Sequence, residues 1–304
     1  MDRLIGGVQR FSTEDGPGIR TTVFFTGCPL RCQWCHNPEL ISRKPQLMYT
    51  EQKCLKCGSC VQICPKKALS IEDGLLKINR EACDGCGKCV SACFTEALRM
   101  SSEYKEVEAL TDLLAKDKGF YGETDGGITL SGGEVSCQTE YAHEVMTSCI
   151  NKNMKVAIDT CGYGNCEDIE KLSKDAQVIL YDIKHMDSEK HKEFTGVGNE
   201  LILNNLRVLC QSPALRERIW IRIPLIHPVN DSVENMTAVC ELMNELGLSR
   251  VQGIPYHAMG TSKSKKISQE PIEFEAPSED QINKIIDIFK AHSLSISIMG
   301  KDQV

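Results

Sequence analysis

The most informative part of this 304-residue chain is Gly27-Cys28-Pro29-Leu30-Arg31-Cys32-Gln33-Trp34-Cys35-His36. Its three cysteines have the spacing C-x3-C-x2-C. Protein iron–sulfur clusters are ordinarily held by four cysteine thiolates, so a cluster on three leaves one iron with open coordination. A metal centre with an open position can bind and transform a ligand. The stretch therefore predicts a reactive [4Fe-4S] cluster on Cys28, Cys32 and Cys35.

The spacing, together with the aromatic Trp34, resembles the signature of the radical S-adenosylmethionine (SAM) superfamily. The resemblance implies that the open iron chelates the amino and carboxylate groups of SAM. It also implies that an electron from the reduced cluster cleaves the S–C5′ bond and releases a 5′-deoxyadenosyl radical. The three cysteines would then be catalytic, and Trp34 would belong to the SAM site. Three thiolates also fit a zinc site or a redox sensor, which is the alternative.

A second cysteine pattern, C-x2-C-x2-C-x3-C, occurs twice between residues 48 and 100. The doubled pattern resembles bacterial two-cluster ferredoxins, in which the fourth cysteine of each run ligates the other cluster. Residues 48–100 would then be an inserted α+β ferredoxin-like domain, with Phe94 where ferredoxins often have proline. Two zinc sites are the alternative. The resemblance implies one [4Fe-4S] cluster on Cys54, Cys57, Cys60 and Cys93, and a second on Cys83, Cys86, Cys89 and Cys64.

Outside this segment, short β-rich runs alternate with amphipathic helical patterns. This alternation predicts an α/β fold with a parallel sheet or barrel. With the superfamily resemblance, it implies a partial (β/α)6 radical SAM barrel built from residues 1–47 and 101–304. Strands are predicted at residues 22–26, 127–130, 156–158, 178–181, 220–223 and 252–255, with a further one at 295–298.

The second predicted strand is followed by Ser131-Gly132-Gly133-Glu134. Parallel α/β folds place their sites at the carboxyl ends of the strands. Two glycines allow backbone to approach a ligand closely, and a carboxylate accepts hydrogen bonds from an ammonium group. In radical SAM proteins a motif of this kind binds the SAM amino group, so the resemblance gives Gly132, Gly133 and Glu134 that role.

A block ahead of the cysteines, Asp15-Gly16-Pro17-Gly18-Ile19-Arg20, resembles the N-terminal signature of the glycyl-radical-enzyme activating enzymes. A Gly-Pro-Gly turn is the simpler explanation of the block. Short pyruvate formate-lyase activases lack the ferredoxin-like insert, whereas activases of other glycyl radical enzymes carry it. The resemblance implies that Asp15 lies near the glycine-bearing peptide of the partner enzyme.

Charged residues follow the third and fourth predicted strands, as Asp159-Thr160 and Asp182-Ile183-Lys184. In the activating enzymes, matching positions hold a monovalent cation through the two aspartates, while the lysine pairs with the SAM carboxylate. The resemblance therefore places a cation at Asp159, Thr160 and Asp182, with Asp182 and Lys184 at the SAM site. Taken separately, each residue also fits a helix cap or a surface ion pair.

Two further strand ends carry Arg222 and His257. A guanidinium can clamp a carboxylate through two hydrogen bonds, and a histidine ring can lie against a purine. The resemblance places Arg222 near the SAM carboxylate and His257 near the adenine. A lone histidine at a strand end is more often structural.

The composition narrows the choice of partners. The net charge of −7 lacks the basic footprint of nucleic-acid-binding proteins. No apolar run reaches membrane-spanning length, and the N-terminus lacks the apolar core of a secretory signal. We therefore expect a cytoplasmic protein with no nucleic-acid or membrane partner. Of the 17 cysteines, six lie outside the predicted clusters and are expected to be mostly buried thiols: Cys137, Cys149, Cys161, Cys166, Cys210 and Cys240.

Together these resemblances imply an oxygen-sensitive activase of an anaerobic setting. A flavodoxin or ferredoxin-type donor would supply electrons, and the radical would remove an α-hydrogen from one glycine of a partner glycyl radical enzyme of lyase, dehydratase or decarboxylase type. One alternative is a radical SAM enzyme acting on a small molecule or peptide. An alternative from another class is a ferredoxin-like electron carrier.

Three cubes predict about twelve irons per chain with an equal amount of sulfide after anaerobic reconstitution. Colorimetric iron and sulfide assays against protein concentration measure this ratio. A plateau at roughly four irons would mean that residues 48–100 are not a two-cluster module.

Overall fold

The computed structural model describes residues 3–300, a mixed α/β fold around a nine-stranded sheet. Within these residues the strands are β1 (Leu4–Ser12), β2 (Arg20–Phe25), β3 (Leu47–Tyr49), β4 (Leu69–Glu72), β5 (Leu75–Ile78), β6 (Leu98–Met100), β7 (Glu103–Tyr104), β8 (Gly127–Gly132), β9 (Val156–Thr160), β10 (Val178–Asp182), β11 (Ile219–Leu225), β12 (Arg250–Pro255) and β13 (Ser295–Ile298). The order in the large sheet is β13-β12-β11-β10-β9-β8-β2-β1-β7.

Helices connect successive parallel strands of the large sheet, and two short ones lie within residues 48–100. In the described part of the chain they are α1 (Ser59–Ile63), α2 (Lys88–Ser91), α3 (Val107–Ala115), α4 (Lys118–Thr124), α5 (Thr139–Asn151), α6 (Cys166–Lys174), α7 (Ser188–Thr195), α8 (Glu200–Cys210), α9 (Pro213–Arg216), α10 (Val233–Leu246), α11 (Met259–Lys266) and α12 (Glu279–Ala291). Short 3-10 helices span Pro38–Leu40, Glu51–Lys53 and Val135–Gln138.

Strands β2 and β8 to β13 pair in parallel, so their carboxyl ends lie at one edge of the sheet. All seven strands predicted from the sequence are present. Six differ from the predicted limits by up to two residues at an end, and Thr26, predicted within the first, follows the end of β2. Strand β1, which pairs antiparallel with β2, was not predicted. Its Gly6-Gly7 pair and two register shifts disrupt the alternation that marks a strand.

One hydrophobic core lies between the large sheet and its helices. The helices contribute apolar residues at helical spacing, which is why they pack on the sheet. Burying each of these side chains stabilises the fold by about 1.5 to 3 kcal/mol relative to exposure. Fully or almost fully buried examples are Leu110 and Leu114 of α3, Val145 and Met146 of α5, Leu206 and Leu209 of α8, Val239 and Met243 of α10, and Ile285 and Phe289 of α12.

Residues 47–100 have a small core of their own, formed by Leu47, Leu69, Leu76, Cys89 and Leu98. Strands β4 and β5 form one antiparallel pair, and β3 and β6 form another. In the second pair, position 47 lies opposite position 100, so the chain leaves and rejoins the rest of the protein at one place.

Arg20 crosslinks the first parallel pair from a fully buried position. Its guanidinium donates to Thr129 Oγ1 at 2.6 Å, to the Ile128 carbonyl at 2.7 Å and to the Pro17 carbonyl at 3.1 Å. Burial lowers the pKa of Arg20 to about 10, partly offset by Asp15. The last residue of the Asp15–Arg20 block therefore ties the Gly-Pro-Gly turn to the sheet.

We predict that Arg20→Ala lowers the free energy of unfolding by about 3 kcal/mol, because it leaves buried acceptors unpaired. Denaturant unfolding followed by circular dichroism measures this change. The exposed Arg99→Ala is the matched control and should change stability by less than about 0.5 kcal/mol. Equal effects of the two substitutions would contradict the structural role of Arg20.

Candidate active site at the carboxyl edge of the sheet

The three-cysteine loop begins directly after β2 and is held by backbone hydrogen bonds from two sides. The Gly27 and Cys28 N–H groups donate to the carbonyls of Leu40 and Ile41 at 2.8 and 3.0 Å. The Arg31 and Gln33 N–H groups donate to the carbonyls of residues 195 and 194 at 2.7 and 3.0 Å, respectively. The loop is thus fixed by backbone contacts that do not use the thiols.

Cys28, Cys32 and Cys35 all line a cavity of about 200 Å³. The same three residues also line a neighbouring groove of about 790 Å³. Burial raises the pKa of Cys32 to about 12 and that of Cys35 to about 11. Free thiolates are therefore unfavourable here, and the charge of a bound metal centre would be needed to stabilise them. Among residues 3–300, no three His, Cys, Asp or Glu side chains converge closely enough to hold one metal ion.

The strand ends bring most of the other predicted site residues to the same cavity. Its walls come from the ends of β8, β9, β10, β11 and β12 as well as from the cysteine loop. The predicted residues that line it, besides the cysteines, are Trp34, Gly132, Gly133, Glu134, Asp159, Thr160, Asp182, Lys184 and Arg222.

Gly132 and Gly133 press against the backbone at the end of β2. A Cβ on Gly133 would lie 2.4 Å from the Gly27 carbonyl oxygen, and one on Gly132 would lie 2.2 Å from the Phe25 nitrogen and oxygen. Gly132 also has a positive φ of 130°. The two glycines are thus required by the close approach of the two strand ends, whatever their contact with a ligand.

The Glu134 carboxylate is almost fully buried and already has three protein partners. It accepts from the Cys161 N–H at 2.7 Å, from Thr160 Oγ1 at 2.7 Å and from the Ser136 N–H at 3.1 Å. Glu134 thus joins the carboxyl ends of β8 and β9. Its contact with a SAM amino group stays a prediction.

Two ion pairs lie among the strand ends. Lys184 Nζ is 2.6 Å from Asp182 Oδ2, and Arg222 Nη1 is 3.4 Å from Asp159 Oδ1. Burial raises the pKa of Asp159 to about 6, with Arg222 opposing the rise. Burial opposes the charge of Lys184, but Asp182 and nearby thiols outweigh it and raise the pKa of Lys184 well above its ordinary value.

Buried polar atoms without a hydrogen bond indicate room for a polar ligand at this site. Among the described residues, Arg222 Nε has no hydrogen-bond partner, and Asp159 Oδ1 has only its ion pair with Arg222 Nη1. A buried polar atom without a partner is destabilising. Positive and negative groups of this kind fit the carboxylate and amino groups of an amino acid such as the methionine part of SAM.

Asp15 faces inward, toward the same charges. Its carboxylate accepts from Ser12 Oγ at 2.7 Å and from Thr22 Oγ1 at 2.6 Å, and one oxygen lies 3.9 Å from Arg222 Nη1. The side chain is 19% exposed. Asp15 is therefore linked to the strand-end charges through Arg222, and its contact with a partner peptide stays a prediction.

His257 is exposed and is not among the residues lining the cavity. Its ring stacks on His36 with a centroid distance of 4.0 Å. The adjacent Tyr256 lines the cavity instead and packs in a small apolar cluster with Trp34. The predicted contact of His257 with adenine stays a prediction.

Sequence reasoning missed Cys161, which lines the cavity beside Cys28. The Cys161 thiol lowers the pKa of Cys28, and the Cys28 thiol raises that of Cys161. Cys161 directly follows Asp159-Thr160 at the end of β9, so its position in the sequence could have indicated that it lies at the site. Of the other cysteines outside the predicted clusters, Cys149, Cys210 and Cys240 are buried, whereas Cys137 and Cys166 are partly exposed.

The eight cysteines of residues 48–100 line two separate cavities in the crossed sets that the ferredoxin resemblance implies. One cavity is also lined by Leu47 and Met100, at the point where the segment joins the rest of the chain. The other is also lined by Leu55 and Phe94. The first contains Cys64, Cys83, Cys86 and Cys89, and the second contains Cys54, Cys57, Cys60 and Cys93.

Comparison with known proteins agrees with this arrangement. A family model of a 4Fe-4S dicluster domain matches residues 46–94, and one of a 4Fe-4S single cluster domain matches residues 14–69. A solved radical SAM methyltransferase from Sphaerobacter thermophilus has a similar fold, with a TM-score of 0.50 and 15% identity over 98% of this chain and 77% of that one. The fold and the two family models define an α/β iron–sulfur protein.

Two relatives identify the family. The chain is 43% identical to the trans-4-hydroxy-L-proline dehydratase activating enzyme of Clostridioides difficile, over 99% of this chain and 100% of that protein. It is 37% identical to the choline trimethylamine-lyase activating enzyme of Oleidesulfovibrio alaskensis, over 97% of each. The chain belongs to the glycyl-radical-enzyme activating enzymes. The resemblance seen in the Asp15–Arg20 block is thereby confirmed.

Across residues 3–300, every helix is too short or too polar to cross a membrane.

The contact between Gly260 and the cysteine loop gives a test of the site. A Cβ on Gly260 would lie 2.2 Å from the Cys35 carbonyl oxygen. We predict that Gly260→Ala lowers the free energy of unfolding by about 1 to 3 kcal/mol through overpacking. It should also reduce reconstituted iron by about four per chain, since the loop must move.

Gly119→Ala is the matched control, because a Cβ there meets no atom within 4 Å. It should leave the iron content unchanged and leave stability unchanged or slightly increased. Denaturant unfolding and iron analysis measure both variants. Full iron content in a folded Gly260→Ala protein would show that this contact does not position the loop.

Proposed function

We propose that this chain cleaves SAM at a [4Fe-4S] cluster on Cys28, Cys32 and Cys35 and installs a glycyl radical in a partner enzyme. One observation carries the proposal: three thiols line a cavity whose wall also holds the Arg222–Asp159 ion pair and an Arg222 Nε without a hydrogen-bond partner among the described residues. When bound, the cluster supplies the electron that breaks the S–C5′ bond of SAM. The 5′-deoxyadenosyl radical released from SAM then removes an α-hydrogen from a glycine of the partner enzyme.

The protein's part in this reaction is to orient SAM and exclude water. Arg222 and Lys184 supply positive charge for the SAM carboxylate, while the Gly132-Gly133-Glu134 turn faces its amino group. Glu134 positions this turn by holding it to the backbone N–H of Cys161 at 2.7 Å. The buried ion pairs fix the charged groups before SAM arrives, so little reorganisation is needed on binding.

We also propose that the large sheet is a partial (β/α)6 barrel. In the same proposal, residues 48–100 are a ferredoxin-like insert with two [4Fe-4S] clusters on the crossed cysteine sets. Support comes from the cavities that each set surrounds. The monovalent cation at Asp159, Thr160 and Asp182 remains part of the proposal, although Arg222 and Lys184 already partly balance the aspartates.

The relatives suggest which partners to test first. Trans-4-hydroxy-L-proline dehydratase and choline trimethylamine-lyase are activated by the two relatives described above, as their names state. A flavodoxin or a ferredoxin-type protein is the proposed electron donor.

Anaerobic incubation of the reconstituted chain with SAM, dithionite and each candidate partner tests the function. We expect 5′-deoxyadenosine by chromatography and a glycine-centred EPR doublet with at least one partner. SAM cleavage without a doublet across all candidates would favour an enzyme acting on a small molecule or peptide. Absence of SAM cleavage would favour an electron carrier.

Two cysteine variants separate the roles of the clusters in that assay. Cys32→Ala should abolish SAM cleavage, because it removes a ligand of the open cluster. Cys57→Ala should retain part of it, because dithionite bypasses the insert. Complete loss in a folded Cys57→Ala protein would contradict that bypass.

A further inference from the structure

The two cysteine sets of residues 48–100 have different hydrogen-bond donors around them. One set lies where the segment joins the rest of the chain, because Leu47 and Met100 also line its cavity. We call this the base set, which consists of Cys64, Cys83, Cys86 and Cys89. The cavity of the other set is lined by Leu98, at the far end of the β3–β6 pair. We call it the distal set, which consists of Cys54, Cys57, Cys60 and Cys93.

Side-chain hydroxyl groups contact two cysteines of the distal set. Ser59 Oγ is 3.4 Å from Cys57 Sγ, and Thr95 Oγ1 is 3.8 Å from Cys93 Sγ. Gly58, with a positive φ of 78°, turns the chain between Cys57 and Ser59, the first residue of α1. A thiolate can only accept a hydrogen bond, whereas a hydroxyl group can donate one. Each hydroxyl is therefore placed to donate to its cysteine when that cysteine holds a metal centre.

The base set lacks these hydroxyl donors. None of the described residues that line its cavity is a serine, threonine or tyrosine. In the repeated cysteine pattern, Lys88 takes the place of Ser59, and Lys66 takes the place of Thr95. The base set does accept a backbone hydrogen bond at 3.3 Å, from the Ala68 N–H to one of its sulfurs, and the distal set accepts one at 3.4 Å. The two sets therefore differ in their side-chain donors.

Charge and exposure do not offset this difference. Lys66 and Lys88 are exposed, so solvent screens their charges. Lys66 Nζ is also 3.9 Å from Asp84 Oδ2. The other oxygen of Asp84 accepts from the Cys86 N–H at 3.2 Å, which places a negative charge beside the base set. Each set has one exposed cysteine, Cys57 or Cys86, so access of water is similar.

These donors bear on electron transfer, because hydrogen bonds to the sulfurs and nearby charges set the reduction potential of an iron–sulfur cluster. Reduction adds one negative charge to the cluster. A hydroxyl group that donates to a thiolate stabilises this charge, whereas a nearby carboxylate opposes it. The donors at Cys57 and Cys93 therefore favour reduction of the distal cluster, and Asp84 disfavours reduction of the base cluster.

We propose that Ser59 and Thr95 give the cluster on the distal set a higher reduction potential than the cluster on the base set. This inference rests on the proposed function, in which both sets hold [4Fe-4S] clusters. A one-electron donor protein is then oxidised by one electron, and the distal cluster is reduced before the base cluster. Ser59 and Thr95 act through the thiolates that they contact, so they are positioning residues. The first electron is thereby held at the end of the segment away from its junction with the catalytic part.

Potentiometry with EPR detection on the reconstituted full-length chain tests this order. Samples are poised with dithionite at a series of potentials, and the amount of each reduced cluster is measured. The signal that changes on addition of SAM belongs to the three-cysteine cluster. The two remaining midpoint potentials then belong to residues 48–100.

Ser59→Ala/Thr95→Val should lower the higher of these two midpoints and leave the lower one unchanged. At a fixed potential, the ratio of reduced to oxidised distal cluster should fall by at least about fivefold. Ser59→Thr/Thr95→Ser keeps both hydroxyl groups and should retain the midpoint of the unmodified chain. The matched control is Lys66→Ala/Lys88→Ala, at the corresponding places of the base set, and should change either ratio by less than about twofold.

Iron content shows whether each variant still assembles its clusters. We expect the iron content of the unmodified chain, because none of the substituted residues is a cluster ligand. If the double variant loses iron, Ser59→Ala alone gives the same comparison at an exposed position, with an expected fall of about twofold. Formation of 5′-deoxyadenosine by the unmodified chain reports on the proposed function separately.

Two results would overturn the inference. The first is a hydroxyl-free variant with full iron content in which the higher midpoint does not move or only the lower one falls. The second is an equal shift in the lysine control, which would assign the effect to the surface charge of the segment rather than to the two hydroxyl groups.

Discussion

The close contact between the carboxyl ends of β2 and β8 is the constraint on which the site depends. The Glu134 N–H donates to the Gly27 carbonyl at 2.7 Å, and the Gly133 N–H donates to the Phe25 carbonyl at 2.9 Å. These bonds bring the cysteine loop and the Gly-Gly-Glu turn together, and they leave no space for a side chain at Gly132 or Gly133. The cysteine loop and the Gly-Gly-Glu turn are thereby placed side by side by backbone hydrogen bonds.

Buried charge is the second constraint, because it makes the remaining strand ends depend on one another. Asp15, Asp159 and Asp182 all raise the pKa of the Arg222 guanidinium, against the opposing effect of burial. Removing one member of such a network leaves an unpaired buried charge and is more destabilising than the pair was stabilising. Residues from the N-terminal block and from three strands therefore act as one electrostatic unit.

The sequence predicted those features that depend on local spacing. The parallel strands and the three-cysteine loop follow from patterns within a few tens of residues, whereas the crossed cysteine sets follow from the resemblance to two-cluster ferredoxins. It did not predict that Glu134 turns toward the Cys161 N–H, or that Asp15 lies 3.9 Å from Arg222. These contacts join residues that are 27 and 207 positions apart, so only the folded backbone determines them. Strand β1 was missed because Gly6 and Gly7 interrupt the alternation of apolar and polar side chains by which strands are predicted from sequence.

The pairing of β3 with β6 has a thermodynamic consequence for the cysteine-rich segment between them. Positions 47 and 100 are paired, so the two ends of this segment lie side by side where they join the α/β part of the protein. The segment is therefore a loop whose ends are held together by its own strands. Loop-closure entropy grows only logarithmically, by about 0.6 kcal/mol for each doubling of loop length. The stability of the large sheet therefore depends little on the number of residues between positions 47 and 100.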